Sequence, residues 1–135
     1  MKKSIILIGL ALLVTPLVLV ACGGGGSSGG TSIQAKMTDF AYTPNQWTVP
    51  AGKTITLSLT NNGSVEHDWV LMKSPVTPPF GDKDSSNVVF STKVAAGATD
   101  TVTFTAPSAP GEYEVVCDVP GHLEAGMSGK LVVTQ

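Results

Sequence analysis

The sequence predicts an all-β protein folded as a Greek-key sandwich of seven to eight strands. Three observations lead to this expectation. Apolar residues recur with period two, as in segment 53–60, where Ile55, Leu57 and Leu59 share one face. Short turns rich in glycine, proline and asparagine separate such segments. No stretch of ordinary helical length has the periodicity of an amphipathic helix, and many short strands in about 100 residues favour a sandwich.

Seven segments of the chain are predicted to be strands. In chain order they are 32–37, 53–60, 67–72, 87–90, 99–106, 112–117 and 129–134. The third and fourth are mostly apolar, which fits interior strands. Between them lies segment 73–86, whose three prolines disfavour a central strand. We expect this segment to be a surface flap packed on the sandwich.

The first 21 residues have the pattern of an export signal. Lys2 and Lys3 precede an apolar run over 5–20, which is short for a membrane span of roughly 20 residues. The run ends with a small residue before Cys22, which resembles the lipobox of bacterial lipoproteins. This resemblance implies cleavage before Cys22 and lipid attachment to its thiol; the alternative is an uncleaved signal anchor. In either case we expect an extracytoplasmic domain that stays tethered to the membrane.

The rest of the chain is predicted to be a linker followed by one domain. Residues 22–32 comprise the candidate lipidated cysteine and a flexible Gly/Ser-rich linker, and 33–135 form the folded part. Beyond residue 21 there are six lysines against ten acidic residues, and the chain contains no arginine. No basic stripe is present, so nucleic-acid binding is excluded as a function class.

One cysteine in the folded part requires an explanation. If Cys22 carries lipid, Cys117 has no partner for an intramolecular disulfide. Cys117 is then either an inert buried thiol or a metal ligand. It opens the loop "CDVPGHLEAGM", which also contains His122 and Met127 and joins two predicted strands. The other histidine, His67, lies at the head of strand 67–72, from which an adjacent strand can bring it to this loop.

Two imidazoles, one thiolate and one thioether form the ligand set of a trigonal blue copper site. Each residue alone has an ordinary structural explanation, but their joint spacing favours one metal site. Structural zinc usually takes four strong nitrogen or sulfur donors, and a methionine among them counts against zinc. A closed set of four ligands also leaves no open position for a substrate, and no general base is visible, so an enzyme is disfavoured.

Here the sequence resembles the cupredoxins, the small blue copper proteins, over essentially the whole folded part. "NNGSVEHDWVLM" is similar to the strand that bears the first histidine ligand, and "YEVVCDVPGHLEAGMSGKLVV" is similar to the ligand loop and last strand. The Cys-x4-His-x4-Met spacing is most similar to that of the auracyanins, which are membrane-associated electron carriers, and it also resembles that of the azurins. The resemblance implies that His67, Cys117 and His122 are equatorial ligands of one copper ion, with both imidazoles bound through Nδ1. It implies that Met127 is the axial ligand.

The resemblance also implies a route for electrons. His122 would reach the surface through an apolar patch and act as the electron exit. We expect Pro120, Leu123, Ala125 and part of the segment 75–80 to form this patch.

Three residues beside the ligands depart from the cupredoxin pattern. Asp68 replaces the asparagine that usually follows the first histidine, and Asp118 replaces a small polar residue after the cysteine. An ionised carboxylate there would favour Cu(II), whereas a protonated Asp68 could donate a hydrogen bond as asparagine does. The sequence leaves both possibilities open. Glu66 stands where azurins offer a glycine carbonyl to copper, so that extra contact is not expected.

The function implied is one-electron outer-sphere transfer by a lipid-anchored monomer with one copper ion cycling between Cu(I) and Cu(II). The expected partners are redox proteins, namely a c-type cytochrome, a quinol-oxidising membrane complex, a reaction centre or a terminal oxidase. Acidic residues near the ligands would attract a basic partner surface. The alternative is an extracytoplasmic protein that stores or delivers copper, although storage sites more often use several exposed methionines or histidines.

Overall fold

The computed structural model describes residues 30–135, so the predicted signal 1–21 and the lipid attachment at Cys22 lie outside the described residues. The described part contains nine strands and one short 3-10 helix, Asp82–Asn87. In chain order the strands are β1 (Ser32–Thr38), β2 (Ala41–Thr43), β3 (Gln46–Pro50), β4 (Thr54–Asn61), β5 (His67–Met72), β6 (Val88–Val94), β7 (Thr99–Thr105), β8 (Gly111–Val116) and β9 (Ser128–Thr134). No helix of residues 30–135 is long and apolar enough to cross a membrane.

The strands form two sheets, which confirms the predicted all-β sandwich. One sheet has the order β2-β1-β4-β7 and the other the order β3-β9-β8-β5-β6. The count is nine rather than seven to eight because β2 and β3 were not predicted. β2 has only three residues, too few to show period two, and β3 is defined by its parallel pairing with β9, a contact distant in sequence.

Burial follows the predicted pattern in the central strands. In β4 the residues Ile55, Leu57 and Leu59 are fully buried and alternate with partly exposed ones. All six residues of β5 are buried, as expected for an interior strand. The same expectation was wrong for segment 87–90, because β6 lies at the edge of its sheet and its residues alternate between more and less exposed. The outer face of β5 is covered by the flap 73–86, where Val76 packs against Val70 and Met72 of that strand.

An aromatic cluster fills the core between the sheets. Trp69 is fully buried, and its ring centroid lies 5.7 Å from that of Trp47, 6.2 Å from Phe90 and 5.4 Å from Phe104. The indole N–H of Trp47 donates to the Gln34 carbonyl at 2.9 Å and so links β3 in one sheet to β1 in the other. Edge-to-face contacts of this kind add to the stabilisation from burial.

The antiparallel pairing of three strands brings distant residues to one end of the sandwich. β5 pairs antiparallel with β8, with Val70 opposite Val116, so the start of β5 lies next to the end of β8. β9 runs antiparallel to β8 and begins where β8 ends. His67 at the start of β5, Cys117 after β8 and Met127 before β9 are therefore placed at the same end.

Candidate metal centre

Three buried side chains converge at this end of the sandwich. The potential ligand atoms of His67, Cys117 and His122 all lie within 4.8 Å of one another. Cys117 Sγ lies 3.9 Å from Nδ1 of His67 and 3.5 Å from Nδ1 of His122. The Nδ1 atom of each ring therefore faces the thiol, and two imidazoles and one sulfur surround a common centre.

Met127 is brought to the cluster by the backbone of the loop. The Cys117 amide donates to the Met127 carbonyl at 3.2 Å, and the Met127 amide donates to the His122 carbonyl at 2.9 Å. These bonds close the loop into a compact turn, and Met127 is fully buried. Gly121 supports the turn with a φ of +85°, which a residue with a side chain rarely adopts.

Burial favours the uncharged forms of both the Cys117 thiol and the His122 imidazole. Burial raises the pKa of the Cys117 thiol, and the Val119 backbone N–H and the Lys93 charge oppose this effect. Burial and the neighbouring His67 lower the pKa of His122, an effect that Asp39 opposes. Cys117 is therefore a thiol in the metal-free protein, and a metal ion that binds its sulfur must displace a proton.

The backbone amide of Asp68 lies close to the sulfur of Cys117. Its amide is 3.5 Å from Cys117 Sγ, a long hydrogen bond to sulfur, and its carbonyl accepts a hydrogen bond from the Tyr42 hydroxyl. Asp68 is only 1% exposed. Its Oδ2 lies 3.3 Å from Lys93 Nζ, whereas Oδ1 has no hydrogen-bond partner among the described residues. The ammonium group of Lys93 stabilises the ionised form of this carboxylate, and burial of the carboxylate opposes that form.

Lys93 faces three carboxylates. In addition to Asp68, its Nζ lies 3.8 Å from Glu66 and 3.7 Å from Asp118. Burial, together with the nearby Glu66, raises the pKa of the half-buried Asp118. Lys93 lies on β6 directly opposite Asp68 on β5. The sequence analysis did not identify Lys93, because this contact depends on the pairing of the two strands.

The surface near His122 differs in part from the predicted patch. His122 is 7% exposed, whereas His67 is fully buried. Pro120 and Ala125 are exposed as expected, but Leu123 is buried, because it packs on the outer face of the second sheet together with residues of the flap.

Phe40, which the sequence analysis did not identify, lies beside His122. Its ring packs edge-on at 5.1 Å, and the residue is 50% exposed. It adopts a φ of +69°, which is strained for an aromatic residue. The sequence analysis assigned no element to the segment "TDFA", so nothing in the sequence indicated that this turn would touch a ligand.

Asn61 organises the chain segment before the first histidine. It is fully buried, and its Nδ2 donates to the carbonyls of Val65 and Val94, both at 2.8 Å, while its Oδ1 accepts from the Gly63 amide at 2.8 Å. The segment "NNG" is one of the turns rich in asparagine and glycine that the sequence analysis expected between strands. That the asparagine side chain also ties β4 to β6 depends on contacts distant in sequence.

The chemistry of the donors fits copper. The Cys117 thiol and the two histidine Nδ1 atoms are three strong donors in a buried cluster. The fourth candidate, the Met127 thioether, is a weak donor. A tetrahedral zinc site would need a fourth strong ligand, and the three-residue cluster contains no carboxylate.

Comparison with known proteins agrees with this chemistry. Residues 30–134 match the family model described as copper binding proteins of the plastocyanin/azurin family. The chain is 36% identical to auracyanin-A of Chloroflexus aurantiacus over 98% of this chain and 99% of that protein. It is 31% identical to the copper-resistant cuproprotein CopI of Rubrivivax gelatinosus over 82% of this chain and 70% of that protein. The structure of dithionite-reduced auracyanin from Roseiflexus castenholzii superposes with a TM-score of 0.68 at 30% identity, covering 80% of this chain and all of that one.

Proposed function

The chain belongs to the plastocyanin/azurin family of copper-binding proteins, and on this premise we propose that it is a lipid-anchored blue copper protein that carries single electrons outside the cytoplasm. The observation that carries the proposal is the buried Cys117 thiol, which lies within 4 Å of Nδ1 of both histidines. A thiolate between two imidazoles is the feature that distinguishes blue copper sites from other copper or zinc sites.

Four residues would hold the metal ion. His67 and His122 through Nδ1 and Cys117 through Sγ would be the strong ligands, with Met127 as a weak axial donor. A copper ion held by this set supplies one-electron chemistry, because it is stable as Cu(I) and as Cu(II). Four protein donors leave no open position for a substrate, so the proposed role is transfer rather than catalysis.

The chain holds its donors in place through rigid elements. β5 fixes His67, the end of β8 fixes Cys117, and backbone bonds within the loop fix His122 and Met127. Ligands held in this way have little freedom to rearrange when the oxidation state changes. A small rearrangement keeps the barrier to electron transfer low.

His122 is the proposed electron exit. Of the two histidines it is the one with exposed surface, and the exposed residues Phe40, Pro120 and Ala125 accompany it there. A small apolar surface suits a redox partner that must bind weakly and leave quickly.

Membrane attachment is proposed from the sequence. The lipobox-like segment that ends at Cys22 and the Gly/Ser-rich residues 23–32 would anchor the domain and let it move above the membrane surface. The proposed partners are a c-type cytochrome or a membrane redox complex, such as a quinol-oxidising complex, a reaction centre or a terminal oxidase.

We expect acidic residues near the exit to accelerate the encounter with a basic partner. Glu66 and Glu124 are exposed close to the ligands in sequence, whereas Asp68 is buried and cannot steer. Replacing Glu66 and Glu124 by glutamine should lower the association rate with a basic cytochrome and flatten its salt dependence. Stopped-flow kinetics at several ionic strengths measures both. The matched control is Glu112→Gln near the opposite end of β8, and equal effects of the two changes would contradict the steering.

The proposed function is tested by spectroscopy and redox cycling of the purified protein with added Cu(II). We expect an intense blue absorption band that a mild reductant bleaches and an oxidant restores over many cycles without release of copper. Release of copper on reduction would instead favour storage or delivery. A protein that remains colourless with copper would contradict the blue copper site itself.

The charges of Asp68 and Lys93 should shift the reduction potential in opposite directions. A unit charge about 10 Å from the metal ion contributes about 1.7 kcal/mol at an effective dielectric constant of about 20, equivalent to about 70 mV for one electron. The ionised form of Asp68, which Lys93 stabilises, favours Cu(II), so we expect Asp68→Asn to raise the potential by about this amount; an unchanged potential would show that Asp68 is protonated. Lys93→Gln removes a positive charge and should lower the potential by less, because the lysine side chain is 60% exposed. Voltammetry measures both shifts, and shifts of the same sign would show that charge is not their cause.

A further inference from the structure

Asp39 lies at the ligand end of the sandwich although it is distant from every ligand in sequence. Thr38 pairs with Ala41 where β1 meets β2, so Asp39 and Phe40 form the two-residue connection of this hairpin. Phe40 contacts His122, and Asp39 contacts the other histidine. One short turn therefore touches both imidazoles.

The Asp39 carboxylate is held by three hydrogen bonds. Its Oδ1 lies 3.1 Å from Nε2 of His67 and accepts from the Ser64 amide at 2.9 Å, while Oδ2 accepts from the Ser64 hydroxyl at 2.7 Å. The two bonds from Ser64 keep the pKa of Asp39 below its ordinary value. The group is therefore an ionised acceptor with a fixed orientation at neutral pH.

An ionised carboxylate determines which nitrogen of His67 carries the proton. A carboxylate has no hydrogen to donate, and a neutral imidazole has one donor and one acceptor nitrogen. Nε2 must then be the donor toward Asp39, which leaves the lone pair of Nδ1 free. Nδ1 is the atom that faces Cys117 Sγ, at 3.9 Å.

Gly63 provides independent support, because it makes room for this contact. A Cβ atom at position 63 would lie 2.5 Å from Asp39 Oδ1 and closer still to His67 Nε2. Real side chains do not approach other atoms so closely. The contact between Asp39 and His67 therefore requires a residue without a side chain at this position.

We propose that Asp39 is a positioning residue that fixes the tautomer and orientation of His67 for binding through Nδ1, and that its charge favours Cu(II) over Cu(I). The second part rests on the proposed function, because it assumes copper at the centre. The first part concerns the metal-free chain as well. A group that accepts a hydrogen bond from the second ring nitrogen of a metal-binding histidine typically increases metal affinity 10- to 100-fold.

The metal-free full-length protein tests the first part. The chain contains only two histidines, so 15N-labelled histidine gives two sets of imidazole resonances, which report the tautomer of each ring. At about pH 8, above the ordinary histidine pKa of about 6.5, we expect wild-type His67 to carry its proton on Nε2. Asp39→Ala removes the acceptor of that proton, so we expect the Nε2–H resonance, protected in the wild type, to be lost to rapid exchange with water, and Gly63→Ala should have the same effect with Asp39 intact. The control Asp82→Ala, on the flap, should leave both rings unchanged.

Asp39→Asn separates the hydrogen bond from the charge. The amide oxygen can still accept from Nε2, so we expect the wild-type tautomer, together with a reduction potential above that of wild type. Asp39→Ala should in addition weaken Cu(I) binding at least tenfold in competition with a chelator. If Asp39→Ala does not fold, exchange of the His67 Nε2–H in Gly63→Ala decides whether the contact with Asp39 holds this proton.

Two results would overturn the inference. One is wild-type protection of the His67 Nε2–H in both Asp39→Ala and Gly63→Ala; the other is Cu(I) affinity within twofold of wild type in Asp39→Ala. Failure of the electron-carrier proposal has a different signature, because a wild-type protein without a blue band would still give the tautomer readout in its metal-free form.

Discussion

Replacing Cys117 by serine is expected to abolish the intense blue absorption band and to weaken copper binding strongly. The band of a blue copper site arises from the bond between copper and thiolate, and a serine hydroxyl is a hard, weakly acidic donor that cannot replace it. The position is fully buried, so the new hydroxyl also costs about 1–3 kcal/mol of stability if it finds no partner. Absorption spectroscopy after addition of Cu(II) measures the main effect, and circular dichroism establishes that the variant is folded.

Two methionine variants provide matched controls for this experiment. Met127→Leu removes the proposed axial donor, so we expect the blue band to persist while the reduction potential changes. Met72→Leu changes a methionine that is equally buried but packs under the flap, and it should leave spectrum and potential unaltered. A blue band of normal intensity in Cys117→Ser would show that Cys117 is not a ligand. Identical potentials for the two methionine variants would remove Met127 from the ligand set.

Replacing Trp69 by alanine should cause a large loss of stability. The indole is fully buried between the two sheets and contacts the rings of Trp47, Phe90 and Phe104. Removing a large aromatic side chain from a core costs about 3–5 kcal/mol, which is a large share of the roughly 5–15 kcal/mol that stabilises a typical domain. Urea denaturation of the metal-free protein measures the loss without the stabilisation that a bound metal adds.

Two further variants test the cause of that loss. The indole N–H of Trp69 has no hydrogen-bond partner among residues 30–135, so Trp69→Phe keeps an aromatic ring and loses no hydrogen bond. We expect it to cost clearly less than Trp69→Ala. Val89→Ala, at a position that is 36% exposed, should change the free energy of unfolding by about 0.5 kcal/mol or less. If Trp69→Ala and Val89→Ala had equal effects, packing of the indole would not be what stabilises the sandwich.

The residues with local signals could be predicted from the sequence. Alternation in β4 revealed a strand with one buried face, because side chains of a strand point to opposite faces in turn. The loop 117–127 revealed a metal site, because a thiol, an imidazole and a thioether rarely gather in one turn without a metal. The all-β fold and the copper-binding family were both confirmed.

The sequence by itself therefore determined the fold class and the candidate ligands His67, Cys117 and His122, because period-two alternation and the chemistry of each side chain can be read from short segments. Only the tertiary structure decided which residues surround them. Asp39 reaches His67 across 28 positions, and Lys93 reaches Asp68 across 25. Strand pairing brings such residues together, and pairing depends on the packing of the whole sandwich, for which no short segment carries a signal.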